Sequence, residues 1–413
     1  MLEIIVYAGT LDRQTPLLSV DIPRQAVAAA LGKVAMAERA QQTLLMRDAE
    51  RTTMSVAQYD PVAGRLAFVA PGTLAAGSSR RFTLADMDAN RQDQGGHPAY
   101  PVQLTQKLDR LVFQTVDEEW ATYNFQGGRR PYFWPLLGPA GASVVRGQGT
   151  GEHPHHTGMG LAYGGHSEEG SANIWSDWDE PPYGPGGRMV HRGFRHLHSG
   201  PVYGEVAEDL TYVDAYGEPI AEEVRTIRAW WGSPDARFLD FQFDIQSCRD
   251  RGPRPFLFMI RLAASMALPK VGRVSNAAGY PVPPEKGRER TYRAAWVDGS
   301  GPMGDPPPPP PTAAPETLVD LPGAKAPVER PSDGPWNGIA LFDHPANHGF
   351  PATVGKYAVV QQITQAHYPP PDAPDGPFTF RQRVYVHAGD GEAARVAQQA
   401  VDYAEPCRVE VRV

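Results

Sequence analysis

The chain has 413 residues, enough for one large or two ordinary domains with real cores. A formal net charge of −8 offers no basic footprint for nucleic acid, and 42 glycines with 42 prolines favour short strands joined by turns over long helices. Cys248 and Cys407 are too few for a disulfide scaffold and read as free thiols, and the first residues lack a basic and apolar leader, so a cytoplasmic location is expected.

Residues 1–88 read as a small β-rich domain. Leu2 to Val6, Leu17 to Ile22, Thr53 to Tyr59, Arg65 to Val69 and Arg80 to Leu84 are short strand-like runs between turn residues. Alanine-rich Arg24 to Gln42 has apolar residues at helical spacing and predicts one helix. Residues 89–104 are polar, strand-poor and predict a linker. From 105 to 413 the pattern predicts one large domain.

Within it, Leu111 to Val116, Trp120 to Phe125, Gly204 to Val213, Glu222 to Trp231, Phe238 to Gln246 and Phe256 to Leu262 follow one another as strands. Arg237 to Gln246 alternates cleanly, with Phe241, Phe243 and Ile245 on one face and Asp240, Gln242 and Asp244 on the other. The longest apolar run, Pro255 to Pro269, contains Arg261 and is too short to span a bilayer, so no membrane partner is expected. Residues 301–335 hold the unbroken run Pro306 to Pro311, which predicts an inserted solvated loop. Gly338 to His344, Arg381 to His387 and Arg408 to Val413 read as strands, with a short helix over Glu392 to Tyr403. The fold class is all-β, a large antiparallel β-sandwich behind a small N-terminal β domain.

Chemistry concentrates in Glu152-His153-Pro154-His155-His156. Imidazole suits both proton transfer near neutral pH and binding of borderline metals. If His153 and His155 share a strand face, they make either an acid/base pair or, with His191 or Asp343-His344, a divalent-metal site. Hydrogen-bonded structural histidines are the plain alternative. Glu222 and Glu223 offer a carboxylate base. Arg130 and Arg188 are candidates for a substrate carboxylate or keto oxygen, or for structural ion pairs. Trp134 and Trp175, with Asn173 beside the latter, suit a polar ring-shaped ligand. The chain has no GxGxxG after a strand, Walker loop, GxSxG elbow or CxxC pair.

Several motifs in order, Arg130-Pro131-Tyr132-Phe133-Trp134-Pro135, His153 to His156, Asn173-Ile174-Trp175, Gly187 to His191, Glu222 to Arg225, Ala295 to Gly301 and Gly338 to Asn347, resemble the PmoA-like family of bacterial proteins. The resemblance covers roughly residues 105–370 and implies a large supersandwich of the galactose-mutarotase kind. Two departures stand out. Glu152 replaces the usual Asp, and the stretch after Pro351 lacks the family's Trp-His-x-Arg.

The expected function is processing of a carbohydrate or glycoside by acid/base proton transfer, giving elimination, epimerisation or hydrolysis. The expected catalytic residues are His153, His155, His156, His191, His344 and Glu222. Substrate contacts are expected from Arg130, Trp134, Asn173, Trp175, Arg188 and Asp343. No organic cofactor is expected, a divalent metal is an open option, and the partner is a small sugar. The alternatives are a noncatalytic carbohydrate-binding protein and a soluble metal-dependent oxygenase. The oligomeric state is not legible.

Overall fold

A computed structural model describes residues 2–14, 16–32, 42–50, 53–85, 102–115, 118–148, 155–164, 172–177, 185–248, 255–267, 272–279, 291–303, 334–355, 362–372 and 376–412. Among these residues three antiparallel sheets dominate. Nine strands, from Tyr292–Arg293 at one edge to Gln103–Gln106 at the other, make one large sheet. Eight strands, from Arg188–His198 to Arg273–Asn276, make its partner. The two stack as a sandwich over a single apolar core that includes Phe113, Trp120, Phe133, Leu161, Phe241, Phe243, Phe258, Ile339 and Val384. The alternation in Ala236–Ser247 works as its sequence implies. Phe241, Phe243 and Ile245 enter that core, while Asp240 pairs with Arg383 and Asp244 accepts from Thr379 on the other face.

A seven-stranded sheet forms the small module, with its own core of Ile4, Val6, Leu44, Tyr59, Phe68 and Phe82. Its edge strand is Arg408–Arg412, which pairs antiparallel with Glu3–Tyr7. The sequence division at 105–413 is corrected here: the last strand belongs to the N-terminal sheet, across a chain separation that no local signal reports. The helix over Arg24 to Gln42 is corrected too. Described helix α1 spans Arg24–Ala30, and Gly32 follows it at φ 66°, a left-handed position that ends helices. Gln42 already begins the strand Gln42–Asp48, and residues 33–41 lie outside the described set.

The module docks on the outer face of the eight-stranded sheet beside helix α2, Val396–Ala404. Ala67, Val202, Trp230, Phe238, Phe342, Tyr385, Val396 and Ala400 pack together there. Gln58 Oε1 accepts from the backbone N–H groups of Val202 and Tyr203, both at 3.1 Å, and Arg13 reaches Asp402 at 3.1 Å. Residues 89–101 of the expected linker lie outside the described set, and Gln103–Gln106 already pairs as the edge of the nine-stranded sheet. The proline run at 306–311 is likewise outside it. The strands flanking it, Trp296–Pro302 and Trp336–Asp343, pair with each other, so residues 303–335 connect two neighbours of one sheet. No helix among the described residues is long and apolar enough to cross a membrane.

The sandwich core also carries charge. Strand Pro219–Ser233 turns Glu223 and Arg225 inward on the same face as Ile227 and Ala229. Arg225 donates to both oxygens of Glu223, at 2.7 and 3.0 Å, and to the Tyr123 hydroxyl at 2.9 Å. Tyr123 donates to Glu208, Tyr212 donates to Glu223, and His191 Nδ1 lies 2.8 Å from the other Glu208 oxygen. Burial, with the neighbouring carboxylates and against the pull of Arg225, holds both tyrosine hydroxyls well above the ordinary phenol range.

Candidate functional site

The site lies on the outer face of the nine-stranded sheet. Strand Met159–Tyr163 puts Met159, Leu161 and Tyr163 inward, so Gly160 and Ala162 face out. In register beside them stand Met259 and Leu257, then Thr364 and Ala366. These small and apolar residues leave room for Arg130 above Gly160 and for Trp175 above Ala162, Leu257 and Met259. A Cβ at Gly160 would sit 3.2 Å from Arg130 Nη1 and 2.7 Å from the Pro131 carbonyl.

Two segments cross this surface. Residues 172–177 are pinned by Ile174 N–H to the Tyr163 carbonyl at 2.9 Å, and by Gly187 N–H to the Asn173 carbonyl at 2.8 Å. Asn173 Oδ1 accepts from Trp175 N–H at 2.8 Å, closing an Asx turn that aims the indole inward. The second segment leads into Met159–Tyr163. Gly158 N–H donates to the Arg146 carbonyl and the Gly158 carbonyl accepts from Arg261 N–H, both at 2.8 Å. Gly158 has φ 56°, and a Cβ there would fall 2.1 Å from the Phe133 carbonyl oxygen. Replacing Gly158 with Ala is therefore expected to cost about 2–4 kcal/mol, since it combines a left-handed Ala with a backbone clash. Chemical unfolding of the purified variant checks this, and a stability within 0.5 kcal/mol of the parent would contradict it.

The cluster is continuous. Arg130 Nη2 lies 3.4 Å from Asp177 Oδ1 and 3.5 Å from the Thr157 carbonyl. Asp177 N–H donates to the His155 carbonyl at 2.9 Å. The His155 and His156 rings meet edge to face at 4.2 Å, and His156 meets Trp175 the same way at 4.7 Å. All six residues have buried or nearly buried side chains. Five polar atoms here lack a partner among the described residues: Arg130 Nε and Nη1, Thr157 Oγ1, Trp175 Nε1 and Asp177 Oδ2. Each such atom costs about 1–3 kcal/mol when buried without compensation, so their concentration in one place calls for a ligand or ordered water. Tyr132 adjoins the cluster. Burial, then the negative charge of Asp177, raises its hydroxyl above the ordinary value. Arg129 is also close to Asp177, and burial lowers its pKa.

Of the expected residues, Arg130, His155, His156, Asn173 and Trp175 converge. Trp175 is 7 % exposed, too buried to offer an open stacking face, and its ring lies at 82° to that of His156. His153 lies outside the described residues. Trp134 borders the group, its indole lying over Gly147.

The others are elsewhere. His191 is inside the sandwich, on the far side of the nine-stranded sheet, held by Glu208 and flanked by Phe125 at 4.5 Å. Glu222 is exposed on the outer face of the eight-stranded sheet and accepts from Thr211 at 2.9 Å. Arg188 is exposed at the start of the edge strand Arg188–His198. A bulge at Phe194/His196 shifts the phase there, so Leu197, not His196, joins Phe194 against the core. Asp343 and His344 separate because neighbours on a strand face opposite ways. Asp343 points inward, accepting from Asn347 Nδ2 at 2.6 Å and Ala352 N–H at 2.7 Å, while His344 packs outward on Tyr403 at 5.1 Å. The metal set built from His155 with His191 or with Asp343-His344 is thus not assembled. Among the described residues no three His, Cys, Asp or Glu side chains come together as a metal site. Asp177, Thr157, Tyr132 and Arg129 were not singled out from sequence. Asp177 had one signal, its i+2 relation to Trp175.

Asp343 and His367 form a second buried titrating pair, 4.0 Å apart between the sheets. Burial pushes Asp343 up to about 6 and pulls His367 down to about 3. His367 alone makes stability fall as pH drops below 6.5, because the unfolded chain binds a proton that the folded one refuses until about pH 3. Asp343 acts oppositely, with stability lost as pH rises from 3.8 through about 6. The two offset each other between pH 7 and 5, at about 1–2 kcal/mol each. His367→Gln is expected to leave the Asp343 effect exposed, so that Tm rises from pH 7 to pH 5 relative to the parent. A Tm–pH slope equal to the parent's would contradict the pairing.

An all-β sandwich carrying a buried arginine, two imidazoles, an indole and a carboxylate on the outer face of one sheet is the class that fold and site define. Residues 110–401 match the family of unknown function DUF6807, and the chain belongs to that family. No curated protein matches the sequence. Among solved structures it is similar to an α-mannosidase from Enterococcus faecalis V583, with TM-score 0.44 and 10% identity over 100% of this chain and 46% of that one. It is also similar to a protein in glycosyl hydrolase family 38 from Enterococcus faecalis, with TM-score 0.43 and 9% identity over 100% of this chain and 47% of that one. The chain spans about half the length of these proteins.

Proposed function

We propose that the protein is a carbohydrate-processing enzyme that moves a proton at a carbon next to a carbonyl or hemiacetal, within an elimination, epimerisation or hydrolysis. The observation that supports this reading is the meeting of two imidazoles with five buried polar atoms that have no partner among the described residues, on one sheet face. His155 and His156 act as the acid and base. As one imidazole takes the proton from the carbon next to the carbonyl, the C–H electron pair forms the C=C bond of an enolate, the carbonyl π pair moves onto its oxygen, and the other imidazole returns a proton to that carbon as the carbonyl re-forms. Arg130, oriented by Asp177, faces the oxygen that gains negative charge. The Trp175 indole N–H and the Thr157 hydroxyl fix ring hydroxyls. We propose kinship with the PmoA-like proteins on the motif order described above.

The test is proton NMR in D2O with aldoses, ketoses and uronates, following loss of the proton next to the carbonyl. Exchange catalysed by the parent protein and lost in His155→Gln and His156→Gln supports the proposal. Exchange absent from every sugar, or unchanged in both variants, sinks it. The noncatalytic alternative predicts binding without exchange, and the burial of Trp175 removes the open stacking surface that such a protein would use.

A further inference from the structure

A cavity lies away from the histidine cluster, on the outer face of the other sheet, where Phe238 and Tyr385 line it. It holds about 390 Å³ between the N-terminal end of α2, the turn Gly232 to Ala236 and Gln14 of the small module. A second cavity of about 180 Å³ lies toward the other end of α2, lined by Leu17, Trp230, Tyr403 and Cys407. Gln399 lines both, so the two are consecutive compartments along one helix. The larger falls in the size range of small-molecule sites and sits at a junction of modules, where such sites recur.

Its wall is built from alanine and glycine, with Ala236, Ala388, Gly389, Ala393 and Ala394 keeping the space open. Its polar groups come in complementary kinds. Asp235 accepts and Arg395 donates, both from exposed positions, and two amide atoms remain: Gln399 Nε2 already donates to the Gln14 carbonyl at 3.3 Å and Gln14 Oε1 accepts from Thr73 at 3.2 Å, which leaves Gln399 Oε1 to accept and Gln14 Nε2 to donate. Neither Asp235 nor Arg395 has an ion-pair partner among the described residues. The negative charge of Asp235 is felt by the Tyr385 hydroxyl, which donates to the Ala394 carbonyl at 3.2 Å and is raised by burial and nearby carboxylates. Arg395, at φ 52°, is the one non-glycine residue with positive φ among the described residues. Backbone held in this sparsely populated region collects at ligand clamps.

We propose that this junction is a second saccharide site, separate from the histidine cluster, taking a neutral disaccharide along the underside of α2. One acid and one base balance, which favours an uncharged ligand. Paired amides that donate and accept match vicinal hydroxyls, and the two compartments match two rings.

Isothermal titration of the whole chain with maltose and with cellobiose tests this. At least one is expected to bind, with affinity lowered about tenfold or more by Ala393→Trp, which fills the larger cavity from an exposed position, and lowered also by Gln399→Ala. The binding is expected to persist in His155→Gln. In a Cys248→Ser background the bound disaccharide is expected to slow alkylation of Cys407. The proposal is overturned if neither disaccharide binds, or if binding survives both cavity variants. It is equally overturned if binding is lost only in His155→Gln, which would place the sugar at the other site. Binding of L-alanine without either disaccharide would assign the Asp235–Arg395 pair to a zwitterion instead.

Discussion

A His156→Gln variant is expected to lose proton exchange on the responsive sugar by about 10²–10⁴-fold while keeping its fold, the usual share of a positioned acid or base. Glutamine retains hydrogen-bonding atoms and similar bulk, so the ring contacts to His155 and Trp175 are perturbed less than by alanine. His155→Gln is expected to lose a comparable factor, with the opposite limb of the pH–rate profile removed. Groups acting as a unit are non-additive, so the double variant should fall little further than the worse single. If both single variants exchange at the parent's rate, the two imidazoles are structural. His191→Gln serves as the internal contrast, because that ring lies on the other side of the sheet against Glu208.

The largest stability effect is expected from Arg225→Met. Arg225 is 2 % exposed and stands between Glu223 and Tyr123, with Glu208 at 3.9 Å. Removing the guanidinium leaves two buried carboxylates without their cation, a loss of about 3–5 kcal/mol in denaturant unfolding. The double variant Arg225→Met, Glu223→Leu is expected to recover much of that loss, since a well-packed apolar pair often replaces a buried ion pair at little cost. A single variant as stable as the parent would show that water, not Arg225, satisfies these carboxylates. An unrecovered double variant would assign the loss to Tyr212, which donates to Glu223.

Sequence patterns read the sandwich well because its strands keep strict alternation. Ala236–Ser247 has one wet face and one dry face, and the core uses them as such. What the pattern cannot report is which side of which sheet a given phase selects. Arg130, His155, His156, Asn173 and Trp175 were legible as one site because they lie on turns that fold over the same face. His191 was not separable from them, since a histidine facing an interior carboxylate and one facing a cleft share the same spacing. Asp343 and His344 were grouped by adjacency, although a period of two sends them to opposite faces. Asp177 is legible only as a polar flank of Trp175, because acidic residues are common in turns and its partner Arg130 is 47 positions away. The helix over Arg24 to Gln42 was overextended because alanine favours helix locally, while Gly32 and the pairing of Gln42–Asp48 are decided by tertiary structure.

The pairing of Glu3–Tyr7 with Arg408–Arg412 has a consequence for how the chain is made. The other six strands of the small module are all synthesised by Ala85. Its edge stays open until position 412 leaves the ribosome, roughly 15–65 s later at the usual pace of translation. Through that interval the apolar strand Glu-Ile-Ile-Val-Tyr is a free sticky border while the whole sandwich is being built, which is when a folding helper, or a neighbouring nascent copy on the same message, would reach it.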